Sequence, residues 1–234
     1  MDINNFLKKM EDIKALGWIK THRGADTGVG KTLEDLLEIP ENNIDLPDLG
    51  KTGELKAVRS GSSSLLTLFT LEPIRDMSWE EMLKSYGYID SKGRHALKST
   101  LSARNYNSQN LIAEVSENRI DIIKQLSDGN KVLLGYYDKN QLSQKFLEKI
   151  SETLIYVPAK HRGRGADEYF YYDEVYLCRN FSGDRFLEVV ESGDLYIDFR
   201  VHLKENGVGR SRGTALRIRK SKIDDFYETK ERIL

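Results

Sequence analysis

Ile44-Asp45-Leu46-Pro47-Asp48-Leu49-Gly50-Lys51-Thr52-Gly53-Glu54-Leu55-Lys56-Ala57-Val58 is the stretch on which the fold turns. Asp48 follows a proline at an expected strand end, a glycine-containing turn intervenes, and Glu54-Leu55-Lys56 opens a second short run of strand character. Side chains two residues apart on a strand point to the same side, so Glu54 and Lys56 share one face and Leu55 turns to the core. Two carboxylates and an ammonium then converge on one point. Two hard oxygen donors suit a magnesium ion, and a lysine beside them suits a water or a phosphate under attack. Spacing alone leaves a plainer alternative open, because charges at alternate positions also mark a solvated strand edge.

The neighbouring segments narrow the choice. Upstream, Thr27-Gly28-Val29-Gly30-Lys31-Thr32-Leu33-Glu34-Asp35-Leu36-Leu37 reads as a glycine-rich turn entering a helix, with the helix expected over Thr32 to Glu38. Downstream, Ser62-Ser63-Ser64-Leu65-Leu66-Thr67-Leu68-Phe69-Thr70 reads as a buried strand. In this order, with Pro47-Asp48 and Glu54-Leu55-Lys56 between them, the chain resembles the MvaI/BcnI family of restriction endonucleases, MutH-like members of the PD-(D/E)XK nuclease superfamily. The resemblance is strongest over residues 24 to 70 and recurs from Gly193 to Ile218.

The resemblance implies an α/β fold with a mixed β-sheet core, flanking helices and two lobes around a DNA cleft. Residues 1–234 would form a single endonuclease domain, with a catalytic lobe in the N-terminal part and a recognition lobe in the C-terminal part. It implies a type II endonuclease that cuts double-stranded DNA with Mg2+, as a monomer nicking the strands one after the other. Mn2+ is expected to substitute for Mg2+, and Ca2+ to support binding only. Asp48 and Glu54 would hold the metal, the Leu55 carbonyl would add a ligand, and Lys56 would orient water and offset charge on the phosphate. Glu34 matches an acidic position that faces these carboxylates from the side; an exposed helix glutamate is the alternative. A cognate DNA methyltransferase is the expected partner in the same system. Two other classes stay open: a MutH-type nicking enzyme dependent on a partner protein, and a catalytically silent DNA-binding module, which the intact Asp48, Glu54 and Lys56 disfavour.

Composition excludes several classes. No apolar run approaches the roughly 20 residues of a membrane span, and the start, Met1-Asp2-Ile3-Asn4-Asn5-Phe6, lacks a basic and apolar secretory pattern. A cytoplasmic protein is expected. The single cysteine, Cys178, forms no intrachain disulfide, and His22, His95, His161 and His202 lack zinc-ligand spacing. A net charge of −1 argues against indiscriminate coating of nucleic acid. The charge is nevertheless uneven: seven Lys or Arg against the single acid Glu205 from Lys204 to Lys222, and four against none from Lys92 to Arg104. Such stripes on a neutral body fit a DNA cleft better than a general polyanion sink, with a plain solvated face the open alternative for the second stripe.

Contacts with DNA are expected from Thr27 and Lys31 at the glycine turn, Arg59 and Ser62 after the catalytic hairpin, Arg104 in the middle basic segment, and Lys204, Arg210, Arg212 and Arg217 near the C-terminus. Arginine gives two hydrogen bonds to guanine O6 and N7, so the last three suit base reading. The family shows Asp-His before its Gly-Thr-Ala. Here Ser211-Arg212 precedes Gly213-Thr214-Ala215 while Arg217 keeps the family arginine, which leaves both a G/C-rich site of the family's type and a different target open. Gly28-Val29-Gly30-Lys31-Thr32 is not a nucleotide-binding P-loop, because Ala25 stands where that loop needs its leading glycine.

Elsewhere, a helix is expected over residues 2 to 16, and a helix capped by Ser78 with Glu81 three residues on. Residues 87 to 110 read as a long, partly extended segment. An antiparallel meander is expected over Leu111 to Val115, Arg119 to Lys124 and Lys131 to Tyr137. A helix over Gln141 to Ile150 would bury Leu142, Phe146, Leu147 and Ile150. A strand over Thr153 to Val157 leads to a basic loop from Lys160 to Gly165. The four aromatics Tyr169 to Tyr172 read as a strand, Phe181 to Glu191 as a helix, and Leu195 to Val201 as a cleanly alternating strand.

Overall fold

The structure, a computed structural model, describes residues 1–40, 47–150, 153–181 and 183–234. Ile44, Asp45 and Leu46 lie outside the described residues. In chain order the elements are α1 (Ile3–Ala15), β1 (Ile19–Lys20), α2 (Gly28–Leu36), β2 (Glu54–Arg59), β3 (Leu65–Thr70), α3 (Trp79–Tyr86), β4 (Tyr88–Ile89), β5 (His95–Leu101), β6 (Leu111–Val115) and β7 (Arg119–Gln125). They continue with β8 (Lys131–Asp138), α4 (Lys139–Ile150), β9 (Thr153–Arg162), β10 (Tyr169–Tyr171), β11 (Tyr176–Phe181), α5 (Gly183–Glu191), β12 (Leu195–Leu203), β13 (Gly209–Ser211), β14 (Ala215–Arg219) and β15 (Tyr227–Arg232). The expected α/β class holds, with mainly antiparallel sheets and few helices.

The chain divides into two compact units, each assembled from separated segments. The first is Met1–Ser64, Leu147–Ser182 and Asp224–Leu234; the second is Leu65–Phe146 and Gly183–Ile223. In the first unit the strand order is β1-β10-β9-β11-β15, and β2 joins β9 in parallel, with Glu54 opposite Leu154 and Lys56 opposite Tyr156. Helix α1 forms because Phe6, Met10 and Ile13 recur at helical spacing and are buried together. The Asp2 side chain caps it by accepting from the Asn5 N–H at 2.9 Å. These residues pack with Val29 and Leu33 of α2, Leu55, Ile155, Val157, Phe170 and Tyr172.

Several expectations in this unit need correction. Helix α2 starts at Gly28, four residues before the expected Thr32, so the Gly-Val-Gly-Lys-Thr segment is helix rather than loop. Gly28 permits this start: a Cβ there would sit 2.3 Å from the Arg23 carbonyl oxygen. Asp48 lies in a turn, not at a strand end, with the Gly50 N–H bonded to the Pro47 carbonyl at 3.0 Å and Gly50–Thr52 a short 3-10 turn. The expected basic loop is strand through Arg162, because Lys160, His161 and Arg162 pair with Tyr171, Phe170 and Tyr169. Alternation does bury Phe170 and Tyr172 while leaving Tyr169 and Tyr171 half-buried. Phe181 ends β11 instead of opening a helix, and β15 has no counterpart in the sequence reading.

The second unit holds a sheet of order β3-β14-β12-β5-β4, with β13 on β12, and the expected meander β6-β7-β8. The capping box on α3 is formed: Ser78 Oγ accepts from the Glu81 N–H at 3.2 Å and Glu81 Oε2 from the Ser78 N–H at 2.8 Å. The extended segment after α3 is a hairpin of β4 and β5, and β5 then pairs with β12. Phe146 stacks on Phe186 with centroids 4.3 Å apart, whereas Leu147, expected on the buried face of α4, is 46% exposed. No helix among the described residues is long and apolar enough to cross a membrane.

Candidate active site

Glu54 and Lys56 occupy alternate positions on β2, and the structure brings Asp48 to them. Lys56 Nζ donates to Glu54 Oε1 at 2.5 Å. The Asp48 N–H donates to Glu54 Oε2 at 3.2 Å, and the Leu55 N–H donates to Asp48 Oδ2 at 3.3 Å. Glu54 is 1% exposed, although a carboxylate is rarely that buried unless paired. Its pairing explains its tolerance: both oxygens are satisfied, one by an ammonium. Leu55 points the other way, into the core beside Ile155 and Val157. In a strand, the N–H and C=O of one residue point to the same edge. The Leu55 carbonyl is therefore on the edge that Asp48 occupies, and two carboxylates, one carbonyl and one ammonium gather there.

A second lysine joins this edge. Lys149 Nζ, from the last turn of α4, stands 3.6 Å from Glu54 Oε2, and its side chain is 16% exposed. Its sequence surroundings, Leu147-Glu148-Lys149-Ile150, resemble any amphipathic helix end, so no local signal marked it.

Arg59, at the far end of β2, is fully engaged within the protein. Nε and Nη2 donate to Glu168 Oε1 and Oε2, each at 2.7 Å, while Nη1 and Nη2 donate to the Asp26 and Ala25 carbonyls at 2.7 and 3.0 Å. This guanidinium holds the Glu168 carboxyl below its ordinary value. It also clamps the turn preceding α2. On that turn Thr27 is exposed and makes no capping bond through its side chain. Lys31 pairs with Asp35 at 2.7 Å, and Asp35 also meets His22 Nδ1 at 3.0 Å. Glu34 is half-buried on α2, a helix that packs on β2, and its charge reaches the Tyr172 hydroxyl. Ser62 Oγ lies 2.8 Å from Ser64 Oγ.

The second unit presents a basic sheet face. Alternation along β12 buries Ile197, Phe199 and Val201 and places Asp198, Arg200 and His202 on the opposite side. Register sets Asp198 and Arg200 opposite Thr100 and Lys98 of β5, and His202 opposite Arg210 of β13. Arg200 is a brace that sequence reasoning missed: Nε and Nη2 donate to the Gly213 carbonyl at 3.0 and 2.8 Å, fixing the turn after β13. Glu72 holds the same turn by accepting from Ser211 Oγ at 2.6 Å and Thr214 Oγ1 at 2.9 Å. Gly213 needs its lack of a side chain, with φ at +79° and Thr70 against it.

Arg217 donates to Asp198 Oδ2 and to the Leu65 carbonyl, both at 3.1 Å, and its buried Nε has no partner among the described residues. Arg210 and Arg212 are exposed, and neither side chain makes a hydrogen bond or ion pair with a described residue. Lys204 is exposed at the hairpin end. Arg104 instead donates to Asp194 at 2.6 Å. Four cations, Arg94, Lys98, Arg210 and Arg212, surround His202, and they add to burial in holding its imidazole below the ordinary value.

These sheets, with a carboxylate and lysine edge on a strand, are those of a restriction endonuclease. Residues 7–227 match the model of the MvaI/BcnI restriction endonuclease family, and the chain belongs to that family, nucleases that act on DNA. It is similar to the solved complex of restriction endonuclease MvaI with its cognate DNA substrate, at 26% identity over 100% of both chains and a TM-score of 0.82. It shares the fold of MvaI in the absence of DNA, at 24% identity over 99% of this chain and 97% of that one, with a TM-score of 0.56. Curated proteins give no sequence match.

Proposed function

We propose that this protein is a type II restriction endonuclease that hydrolyses double-stranded DNA at a short specific sequence with Mg2+, as a monomer nicking the strands in turn. The observation that carries the reading is Lys56 Nζ at 2.5 Å from buried Glu54, on an edge that Asp48 closes through two hydrogen bonds, each from a backbone N–H to a carboxylate oxygen. Family membership and the likeness to a DNA complex of MvaI support DNA as the substrate.

The donor set fits a hard divalent cation. Among the described residues no three His, Cys, Asp or Glu side chains cluster for a metal. Magnesium keeps several waters and takes one or two carboxylates, so Asp48, Glu54 and the Leu55 carbonyl suffice. Once bound, the cation supplies Lewis acidity toward the scissile phosphate and its attacking water. Glu54 and Asp48 fix the cation's place through oxygens held by the strand edge. Lys56 orients the water and offsets negative charge on the phosphate as the bond to the attacking oxygen forms. Burial of Glu54 strengthens both interactions by excluding water.

Sequence reading belongs to the basic face of the second unit. Arg212 and Arg217 suit guanine O6 and N7, and the turn between them is held by Arg200 and Glu72. A methyltransferase of the same system would protect the host's own sites. Incubating the protein with phage DNA and Mg2+, then sequencing the fragment ends, tests the reading. Ends confined to one short sequence are the expected result; intact DNA or random ends would overturn it.

A further inference from the structure

Glu54 is approached by two ammonium groups, one more than its charge needs. Lys56 meets Oε1 at 2.5 Å, and Lys149 stands 3.6 Å from Oε2, the oxygen that also accepts from the Asp48 N–H. The two lysines differ in setting. Lys56 shares the strand of Glu54, so its distance to the carboxylate is fixed by the backbone. Lys149 comes from the end of α4 and reaches the oxygen turned toward Asp48. That oxygen is the one on which a cation shared by Glu54 and Asp48 would sit. An ammonium and a divalent cation cannot both occupy it without strong repulsion at such range.

We infer that Lys149 is the resident counter-charge of Glu54, a positioning residue that holds Oε2 in the metal-free protein, competes with the incoming divalent cation and so sets the metal concentration at which the site fills. The inference rests on the reading of Glu54 as a metal ligand. Competition of this kind is a reciprocal coupling between two occupants of one oxygen. The factor by which Lys149 weakens metal binding is then the factor by which bound metal weakens the contact of Lys149 with Glu54. A buried carboxylate is kept satisfied before metal arrives, at a cost in metal affinity.

The test is calorimetric titration of Ca2+ alone into the DNA-free full chain, paired with melting in EDTA. Lys149→Met and Lys149→Gln should bind Ca2+ about tenfold more tightly than the parent, within the usual range of such couplings. Both should melt lower in EDTA and gain more on adding Ca2+. Lys149→Arg, which keeps the charge, should stay near the parent affinity. A purely structural lysine would lower stability without tightening metal binding. Unchanged or weaker Ca2+ affinity in whichever neutral variant folds would overturn the inference. Glu54→Gln separates the two levels: if it binds Ca2+ like the parent, the ligand reading itself fails. If it loses Ca2+ while Lys149→Gln matches the parent, only the role of Lys149 falls.

Discussion

Arg59 and Glu168 form a two-pronged ion pair, Nε to Oε1 and Nη2 to Oε2, both at 2.7 Å, with Glu168 only 7% exposed. The pair joins the end of β2 to the segment before β10 and holds the turn ahead of α2 through the Ala25 and Asp26 carbonyls. Removing one member leaves a buried charge alone, so Arg59→Ala should cost about 3 kcal/mol of stability near neutral pH. Glu168 is held below its ordinary value of 4.5, chiefly by Arg59. The contribution is therefore complete above that value and lost as pH falls through the lower folded value. Denaturant melts at pH 7 and pH 3 should show the gap between parent and variant shrinking at pH 3. An equal gap at both would discard the pair as the cause.

Asp48→Ala, Glu54→Ala and Lys56→Ala should each abolish cleavage while DNA binding in Ca2+ persists, since Ca2+ fills an oxygen site with looser geometry and without turnover. Plasmid cleavage and gel shift on the same preparations check this. Full cleavage by Glu54→Ala would remove the centre.

Arg212→Ala and Arg217→Ala should each lose roughly 1–3 kcal/mol of affinity at the cognate site, and much less on random DNA. Arg217 is already aimed by Asp198 and the Leu65 carbonyl, which limits its rotamers before DNA arrives. Lys204→Ala, exposed at the hairpin end, should weaken both duplexes alike. Equal losses on both duplexes for the arginines would make them phosphate contacts.

Burial, and then four neighbouring cations, make the proton affinity of His202 lower in the folded protein than in the unfolded chain. Its stabilising contribution is present above 6.5, the ordinary value, and is lost as pH falls from there toward the folded value. Melting temperature should fall on acidification below about pH 6.5, and His202→Asn should flatten that slope. A slope unchanged in the variant would assign the effect elsewhere.

If the protein acts as the proposed monomer with one catalytic edge, it must cut two strands in two events. Supercoiled plasmid should pass through an open-circle form, at a rate per enzyme independent of enzyme concentration. A stable dimer by sedimentation at low concentration, with linear product and no nicked species, would rule out this order.

Much of the Glu54 and Lys56 arrangement was legible because a period of two is local: Glu54, Leu55 and Lys56 take their sides from the strand alone. The meander and the Ser78 cap were readable for the same reason. Lys149 was not, since its meeting with Glu54 depends on how a distant helix ends against β2. Arg59 was read as a DNA contact because its partners, Glu168 and the Ala25 and Asp26 carbonyls, lie far off in sequence or on backbone. The early start of α2 was hidden by its glycines, which disfavour helix by propensity yet are needed where Arg23 presses close. Arg200 looked like an ordinary outward strand residue until the Gly213 turn was placed beneath it.

Parallel pairing of β2 with β9 also sets a timetable. Glu54 finds its register against Leu154, and β2 pairs with no other strand among the described residues. A ribosome adding about 5–20 residues per second needs about 5–20 s to pass from one strand to the other. For that interval the newborn chain carries Asp48, Glu54 and Lys56 without the sheet that brings them to one edge. The proposed catalytic edge is thus completed only after most of the polypeptide has been made.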